Sequence, residues 1–182
     1  PHMLFNTLAN LRSLVDDDPT QAKHMIDQLI TYLRSALAGS RSDTTTLRAE
    51  FAQLAAYLEI MSLRLGRRLR YQLDLPEALQ QATVPAMLLQ PLVENAIKHG
   101  IEPKIGGGAI AVTARSTNGS LELEVADTGL GLPPDHDPDH SSDSYGLVHV
   151  RDRLRALYGS HASLRLQANK PQGTLATVRI PA

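Results

Sequence analysis

The sequence predicts an α+β fold, in which a helical segment precedes a mixed, mostly antiparallel sheet covered on one face by helices. Three observations lead there. Apolar residues recur at three- and four-residue steps as far as Leu65, and beyond Gly66 the period shortens to two. Asn118-Gly119, set between two alternating runs, is a strong hairpin turn.

The first helix follows from Leu4, Phe5, Leu8, Leu11, Leu14 and Val15, and Asp16-Asp17-Asp18-Pro19 breaks it. From Thr20 to Leu37 the same period returns through Met25, Ile26, Leu29, Leu33 and Ala36, and Gly39 stops it. Two helices joined by a short acidic turn form an antiparallel hairpin. The polar stretch from Ala38 to Thr46 reads as a connector, and a third helix is expected from about Leu47 to Leu65.

Leu69, Tyr71, Leu73 and Leu75 then alternate with polar residues, as in a strand ended by Pro76. A helix is expected from about Ala86 to Lys98, and a strand through Ile110, Val112 and Ala114 pairs across the hairpin turn with one ending at Asp127. Residues 132–145 are too polar for a core and are expected to form a mobile loop. Gly146 opens a helix to about Tyr158, and strands near 162–166 and 174–180 complete the set. The expected division is a helical region at 1–66 and a second domain at 67–182.

Composition narrows the function. The chain has 182 residues, 42% hydrophobic content and a net charge of −1, so it can bury one ordinary core and carries no basic field for nucleic acid. Cysteine is absent, which removes disulfides and thiolate metal sites. No apolar run reaches the roughly 20 residues of a membrane span. The opening Pro1-His2-Met3 reads either as a cloning scar or as the middle of a longer chain.

Two places carry unusual chemistry. On the helix spanning 88–100, Leu88, Leu89, Leu92, Val93, Ala96 and Ile97 form one face, and Pro91, Glu94, Asn95, Lys98 and His99 form the other. A carboxylate, an amide and an ammonium thus project towards one region, as a hydrated metal-phosphate group requires; an ordinary solvated helix face has the same pattern. The second place is Asp127. Leu121, Leu123 and Val125 share the buried face of their strand, and Asp127 falls on the same parity. A carboxylate aimed inwards must find a donor, because a buried unpaired charge is costly. An adenine amino group is one such donor. Gly129 and Gly131 allow a tight turn and a close approach to a ligand. Further on, the free amides at the start of the helix at Gly146 can receive phosphate oxygens.

Residues 92–100, 127–131, 146–154 and 173–178 resemble, in order, the N box, G1 box, G2 box and terminal Gly-Thr of the GHKL, or Bergerat-fold, ATP-binding domains. More narrowly, the chain resembles the LytS-type sensor histidine kinases, whose phosphorylated histidine lies in a motif similar to Pro1-His2-Met3-Leu4-Phe5-Asn6. The resemblance implies a two-layer α/β sandwich for the second domain and a dimerisation and phosphoacceptor hairpin for the first. It implies that Asn95 ligates Mg²⁺, with Glu94, Lys98 and His99 around the phosphates of ATP. It further implies that Asp127 pairs with the adenine amino group, that Gly129 and Gly131 shape the pocket, that Gly146 and Leu147 meet the phosphates, and that Thr174 joins the network near Asp127. Residues 132–145 become the ATP lid.

By the same resemblance the chain is the cytoplasmic portion of a bacterial sensor kinase attached to an upstream membrane sensor region. It would form a homodimer through its N-terminal helices, phosphorylate His2 from ATP and pass the phosphoryl group to a response regulator receiver domain. Three departures stand out: Ser144-Tyr145 lacks a second glycine before the G2 box, His149 replaces the usual Asn, and Met3 replaces the common Phe. Met3 also leaves the general base for His2 unassigned.

Two alternatives come from the same residues. ATPases of the gyrase or chaperone kind resemble one another in a glutamate four residues before the N-box asparagine; Pro91 stands there and cannot activate water. A nucleotide-sensing module without phosphotransfer requires that His2 be accidental. Asp135, His136, Asp137, Asp139 and His140 invite a metal reading, but a loop without fixed geometry is a poor ligand cage, and the lid reading is preferred. Lys104-Ile105-Gly106-Gly107-Gly108 lacks the Gly-Lys-Ser/Thr of a P-loop and is expected to be a turn. His24 and His161 are expected at the surface.

Overall fold

The computed structural model describes residues 2–39, 42–134 and 145–182. Helices α1 (His2–Asp17) and α2 (Pro19–Gly39) form the expected hairpin. The acidic break is shorter than the sequence suggested: Asp18 alone separates the helices, its carboxylate accepting the N–H of Gln21 while Pro19 occupies the first helical position. Strand β1 (Thr44–Thr46) leads into α3 (Leu47–Leu65). Thr46 caps α3 by accepting the Ala49 N–H, and Gly66, at φ +59°, ends it.

The main sheet has five strands in the order β2 (Leu69–Asp74), β4 (Gly108–Thr117), β5 (Ser120–Asp127), β7 (Thr174–Pro181) and β6 (Ser163–Ala168). Only β2 with β4 is parallel; the other three pairings are antiparallel, so the sheet is mixed and mostly antiparallel. Asn118-Gly119 makes the β4–β5 hairpin, both residues at positive φ. On the inner face Ile110, Val112, Leu123, Val125, Val178 and Ile180 are buried beneath α3, the helix at 90–101 and α5 (Tyr145–Tyr158). On the open face, Glu122 lies between Arg115 and Arg179, which hold its carboxyl below the usual range.

The hydrophobic core is continuous across residue 66: Phe51, Leu54, Leu58 and Met61 of α3 belong to the same cluster as the sheet and α5. A second, two-stranded sheet, which the sequence did not suggest, ties the segment before α3 to the one before the site helix, pairing β1 with β3 (Thr83–Pro85). Arg153 of α5 reinforces that seam through the carbonyls of Asp43 and Ala86.

The helix expected from Ala86 starts later. Residues 86–89 form a turn with Met87 at φ +59°, and α4 runs over Gln90–Asn95 before continuing as a wider π-helical turn through Ala96–Ile101. The cause is Glu50 of α3. Its buried carboxylate accepts the N–H groups of Met87, at 3.3 Å, and Leu89, at 3.0 Å, and so captures donors that a helix begun at Ala86 would leave facing its own first turn. Burial pushes the Glu50 carboxyl up, and the hydrogen bonds from Leu89 and Met87 oppose that shift.

Removing this anchor tests its weight. Glu50→Ala leaves the buried Leu89 N–H and the part-buried Met87 N–H without their acceptor and is expected to lower the unfolding free energy by about 1–3 kcal/mol, measured by urea denaturation. Because the folded-state pKa is raised, the stability linked to Glu50 is present at acid pH and declines as pH rises through that value. The gap between parent and variant should therefore widen on mild acidification and narrow towards neutrality.

Candidate functional site

The C-terminal end of β5 and the N-terminal end of β7, neighbouring strands inside the sheet, meet the C-terminal part of α4 and the start of α5. Asp127 is the last residue of β5 and pairs with Ile110, and its side chain points inwards with only 3% of its surface exposed. Its Oδ1 accepts the N–H of Gly129 at 2.8 Å and that of Thr174 at 3.3 Å. No hydrogen bond among the described residues uses Oδ2. Burial raises the Asp127 carboxyl above the ordinary aspartate range, while the two N–H groups and the charge of Lys104 act in the opposite direction.

Glycines allow this packing. A Cβ on Gly100 would lie 2.9 Å from Asp127 Oδ1, one on Gly129 would collide with the backbone of Gly100, and one on Gly173, at φ +109°, would collide with the Asp127 carbonyl. Gly131, at φ +87°, turns the chain beside Gly173. The sequence reading singled out Gly129 and Gly131 but not Gly100 or Gly173. Both were visible as the glycines ending the N box and opening the terminal Gly-Thr, yet their need to approach Asp127 is a tertiary fact.

Asn95, Asp127, Leu147 and Thr174 line one narrow cleft with Leu92 and Ala176. The apolar face expected for residues 88–97 is buried as expected, while Lys98 and His99 are exposed beyond Asn95. Glu94 does not line this cleft. Its carboxylate accepts from Gln90 Nε2 at 3.1 Å and faces Tyr32 of α2 and Tyr57 of α3. The Tyr32 phenol is pushed up to about 12 by burial and by the charge of Glu94, so it stays protonated and donor-competent at neutral pH.

Gly146 lies in the first turn of α5, against Pro91, and the Leu147 side chain is fully buried at the base of the cleft. His2 is the first residue of α1. His24 and His161 are at the surface. Residues 135–144, which include most of the expected lid and the two histidines of the metal reading, lie outside the described residues. Among the described residues, no cluster of three or more His, Asp or Glu side chains could hold a metal by itself.

This arrangement fits a planar base carrying an exocyclic amino group. Among the described residues Asp127 Oδ2 has no hydrogen-bond partner in a slot lined by Leu92, Ala96 and Val125, and Gly100, Gly129 and Gly173 let the backbone close around the carboxylate. Asn95 offers an amide oxygen, a hard ligand that suits one magnesium ion already carrying phosphate and water, while Lys98 and His99, one turn further on, offer N–H donors to a polyanion.

Comparison with known proteins agrees with the geometry. Residues 1–69 match the histidine kinase family, and residues 81–182 match the histidine kinase-, DNA gyrase B- and HSP90-like ATPase family. The sensor histidine kinase BtsS of Escherichia coli is 34% identical over all of this chain and 31% of its own length. The sensor protein LytS of Bacillus subtilis is 30% identical over all of this chain and 32% of its own length. The chain thus spans about a third of the curated relatives it matches. Among solved structures, the catalytic domain of histidine kinase ThkA superposes with a TM-score of 0.59 at 15% identity, over 76% of this chain and 94% of that domain, a likeness of fold. The chain belongs to the histidine kinase family, with an ATPase domain of the type that family shares with DNA gyrase B and HSP90.

Proposed function

We propose that this chain is the kinase portion of a two-component sensor that transfers the γ-phosphoryl group of ATP to His2 and then to an aspartate of a response regulator receiver domain. The observation that carries the reading is the buried Asp127, with one oxygen tied to backbone and the other without a hydrogen bond among the described residues, in a cleft shared with Asn95. Asp127 accepts from the adenine amino group. Asn95 holds the metal through its amide oxygen, and Lys98 and His99 neutralise the phosphates. The backbone amides at Gly146 and Leu147 receive phosphate oxygens, and Thr174 supports the base end through its N–H to Asp127. Mg²⁺, when bound, supplies charge neutralisation at the transferring phosphoryl group.

At His2 a neutral imidazole nitrogen forms the N–P bond as the bond from the γ-phosphorus to its bridging oxygen breaks, ADP leaves, and the imidazole proton passes to solvent. An unperturbed imidazole is mostly unprotonated at neutral pH, so Met3 in place of an acidic neighbour is tolerated. Pro91, one turn before Asn95, argues against water activation as the main activity.

Two further elements belong to this reading. Phe5, Leu8 and Val15 of α1 and Ile30, Leu33 and Leu37 of α2 are exposed apolar residues, which favours a homodimer built from the hairpin. No helix among the described residues is long and apolar enough to cross a membrane, and the greater length of the relatives leaves room for an upstream membrane sensor, with this portion cytoplasmic.

Guanine carries a carbonyl where adenine carries its amino group, so calorimetry should give tighter binding of ATP than of GTP. Asp127→Ala should weaken ATP binding by at least about tenfold; equal ATP and GTP affinity in the parent would remove the assignment. Asn95→Ala is expected to keep the parent circular dichroism spectrum and lose the Mg²⁺-dependent part of ATP affinity. Undiminished Mg-ATP binding would reduce the helix to an amphipathic surface. Incubated with γ-labelled ATP, the full-length kinase should acquire an acid-labile, base-stable label that is absent from His2→Gln. Label retained in that variant, or carried on a serine, would move the chain to another kinase class.

A further inference from the structure

The glycine-rich stretch after the site helix is the turn that the sequence suggests, and it fixes Lys104 with unusual care. The Lys104 N–H donates to the Ile101 carbonyl, and its own carbonyl accepts the N–H of Gly107 at 2.9 Å and a guanidinium nitrogen of Arg68 at 3.2 Å. Gly107, at φ +68°, leaves no room for a side chain against the Arg68 backbone. The lysine backbone is therefore held from both sides. Its ammonium then spans two separate segments: Nζ donates to the Thr128 carbonyl at 2.5 Å and to Gln172 Oε1 at 3.0 Å.

Those two segments supply the only two donors to Asp127 Oδ1 among the described residues. Thr128 sits between Asp127 and the donor Gly129, and Gln172 lies on the β6–β7 connection that presents the N–H of Thr174. The same connection is tied again where Asn169 Nδ2 donates to the Asp127 carbonyl at 2.9 Å and the Asn169 N–H to the Gly173 carbonyl at 3.0 Å. The direction in which Oδ2 faces the cleft follows from where Gly129 and Thr174 hold Oδ1. Lys104 joins the backbone stretches carrying both of them. Charge-assisted hydrogen bonds of this kind are stronger than neutral ones, and a lysine bridging two loops restricts both at once.

We propose that Lys104 is a positioning residue for base selection: it clasps the 127–129 turn to the 169–174 hairpin and thereby aims the Asp127 carboxylate at the base. The inference rests on the reading of this cleft as an adenine nucleotide site. It gives Lys104 a task different from that of Lys98, which faces the phosphate end beyond Asn95. A lysine that aims the base acceptor affects every adenine ligand alike, whether or not it carries phosphates.

Displacement of trinitrophenyl-ATP from the purified kinase by adenosine, ATP and GTP separates these roles. For Lys104→Met, the affinities for adenosine and ATP should fall by the same factor, about fivefold to tenfold, and the preference for ATP over GTP should shrink with them. Lys104→Arg, which keeps a charged donor, should restore much of the preference. Gln172→Ala should reproduce the pattern more weakly, and it serves as the second variant should Lys104→Met fold poorly. A loss confined to ATP, with adenosine unaffected, would make Lys104 a phosphate ligand and overturn the proposal. An unchanged ATP-to-GTP ratio in both Lys104→Met and Gln172→Ala would overturn it equally. A parent that does not distinguish ATP from GTP would instead remove the adenine reading itself, a result visible before any variant is made.

Discussion

A carboxylate placed in the apolar layer between sheet and helices constrains everything around it. Asp127 ends β5 on the same face as Leu123 and Val125, so the fold must bring hydrogen-bond donors to a position where only hydrocarbon would otherwise be found. Two backbone N–H groups do this, from Gly129 just beyond the strand and from Thr174 at the start of the neighbouring strand. Their approach brings backbone from three segments to near contact, which explains why residues 100, 129 and 173 are all glycine. The cleft is the space that remains when these strands and turns are packed around one charge.

A second buried carboxylate plays the complementary structural part. Glu50 lies on α3, far from Asp127 in sequence, and sets where the site helix begins by holding the turn at residues 86–89. The start of the site helix thus depends on α3, and Gln90 at that start is also in contact with Tyr32 of α2. The continuous core across residue 66 has the same consequence. The hairpin and the site helix are joined by one buried hydrogen bond, from Gln90 Nε2 to the Tyr32 hydroxyl, as well as by apolar area. Movement of the hairpin has a direct route to the site helix through this contact.

Charge is distributed to match. The net charge is close to zero, yet Lys98 lies beyond Asn95 and Lys104 beside Asp127, at the two ends of the cleft proposed for a nucleotide. Glu94 accepts from Gln90 near the tyrosines of α2 and α3, and Glu102 is paired with Arg64. The surface is not strongly basic, so it offers no broad field for a nucleic acid backbone.

Much of this was legible in the amino-acid order, because periodicity and turn chemistry are local. The hairpin of α1 and α2, the alternation of β4 and β5 around Asn118-Gly119, the inward parity of Asp127 and the two-faced site helix all follow from residues within a few positions of one another. Local pattern failed where a distant group captured the backbone. The helix expected from Ala86 begins at Gln90 because Glu50, more than thirty residues earlier, takes its first donors, and β1 and β3 become strands only by pairing with each other. Glu94 shares a helix face with Asn95 and Lys98 in sequence, and its carboxylate also accepts from Gln90, one turn earlier on the same helix. Lys104 read as part of a plain glycine turn until Thr128 and Gln172 were brought within its reach. The sequence by itself determined which residues could carry charge, turn tightly or face the core. Only the tertiary structure decided which of them meet, since hydrogen bonds between distant segments depend on how the layers pack and not on the order of residues along either one.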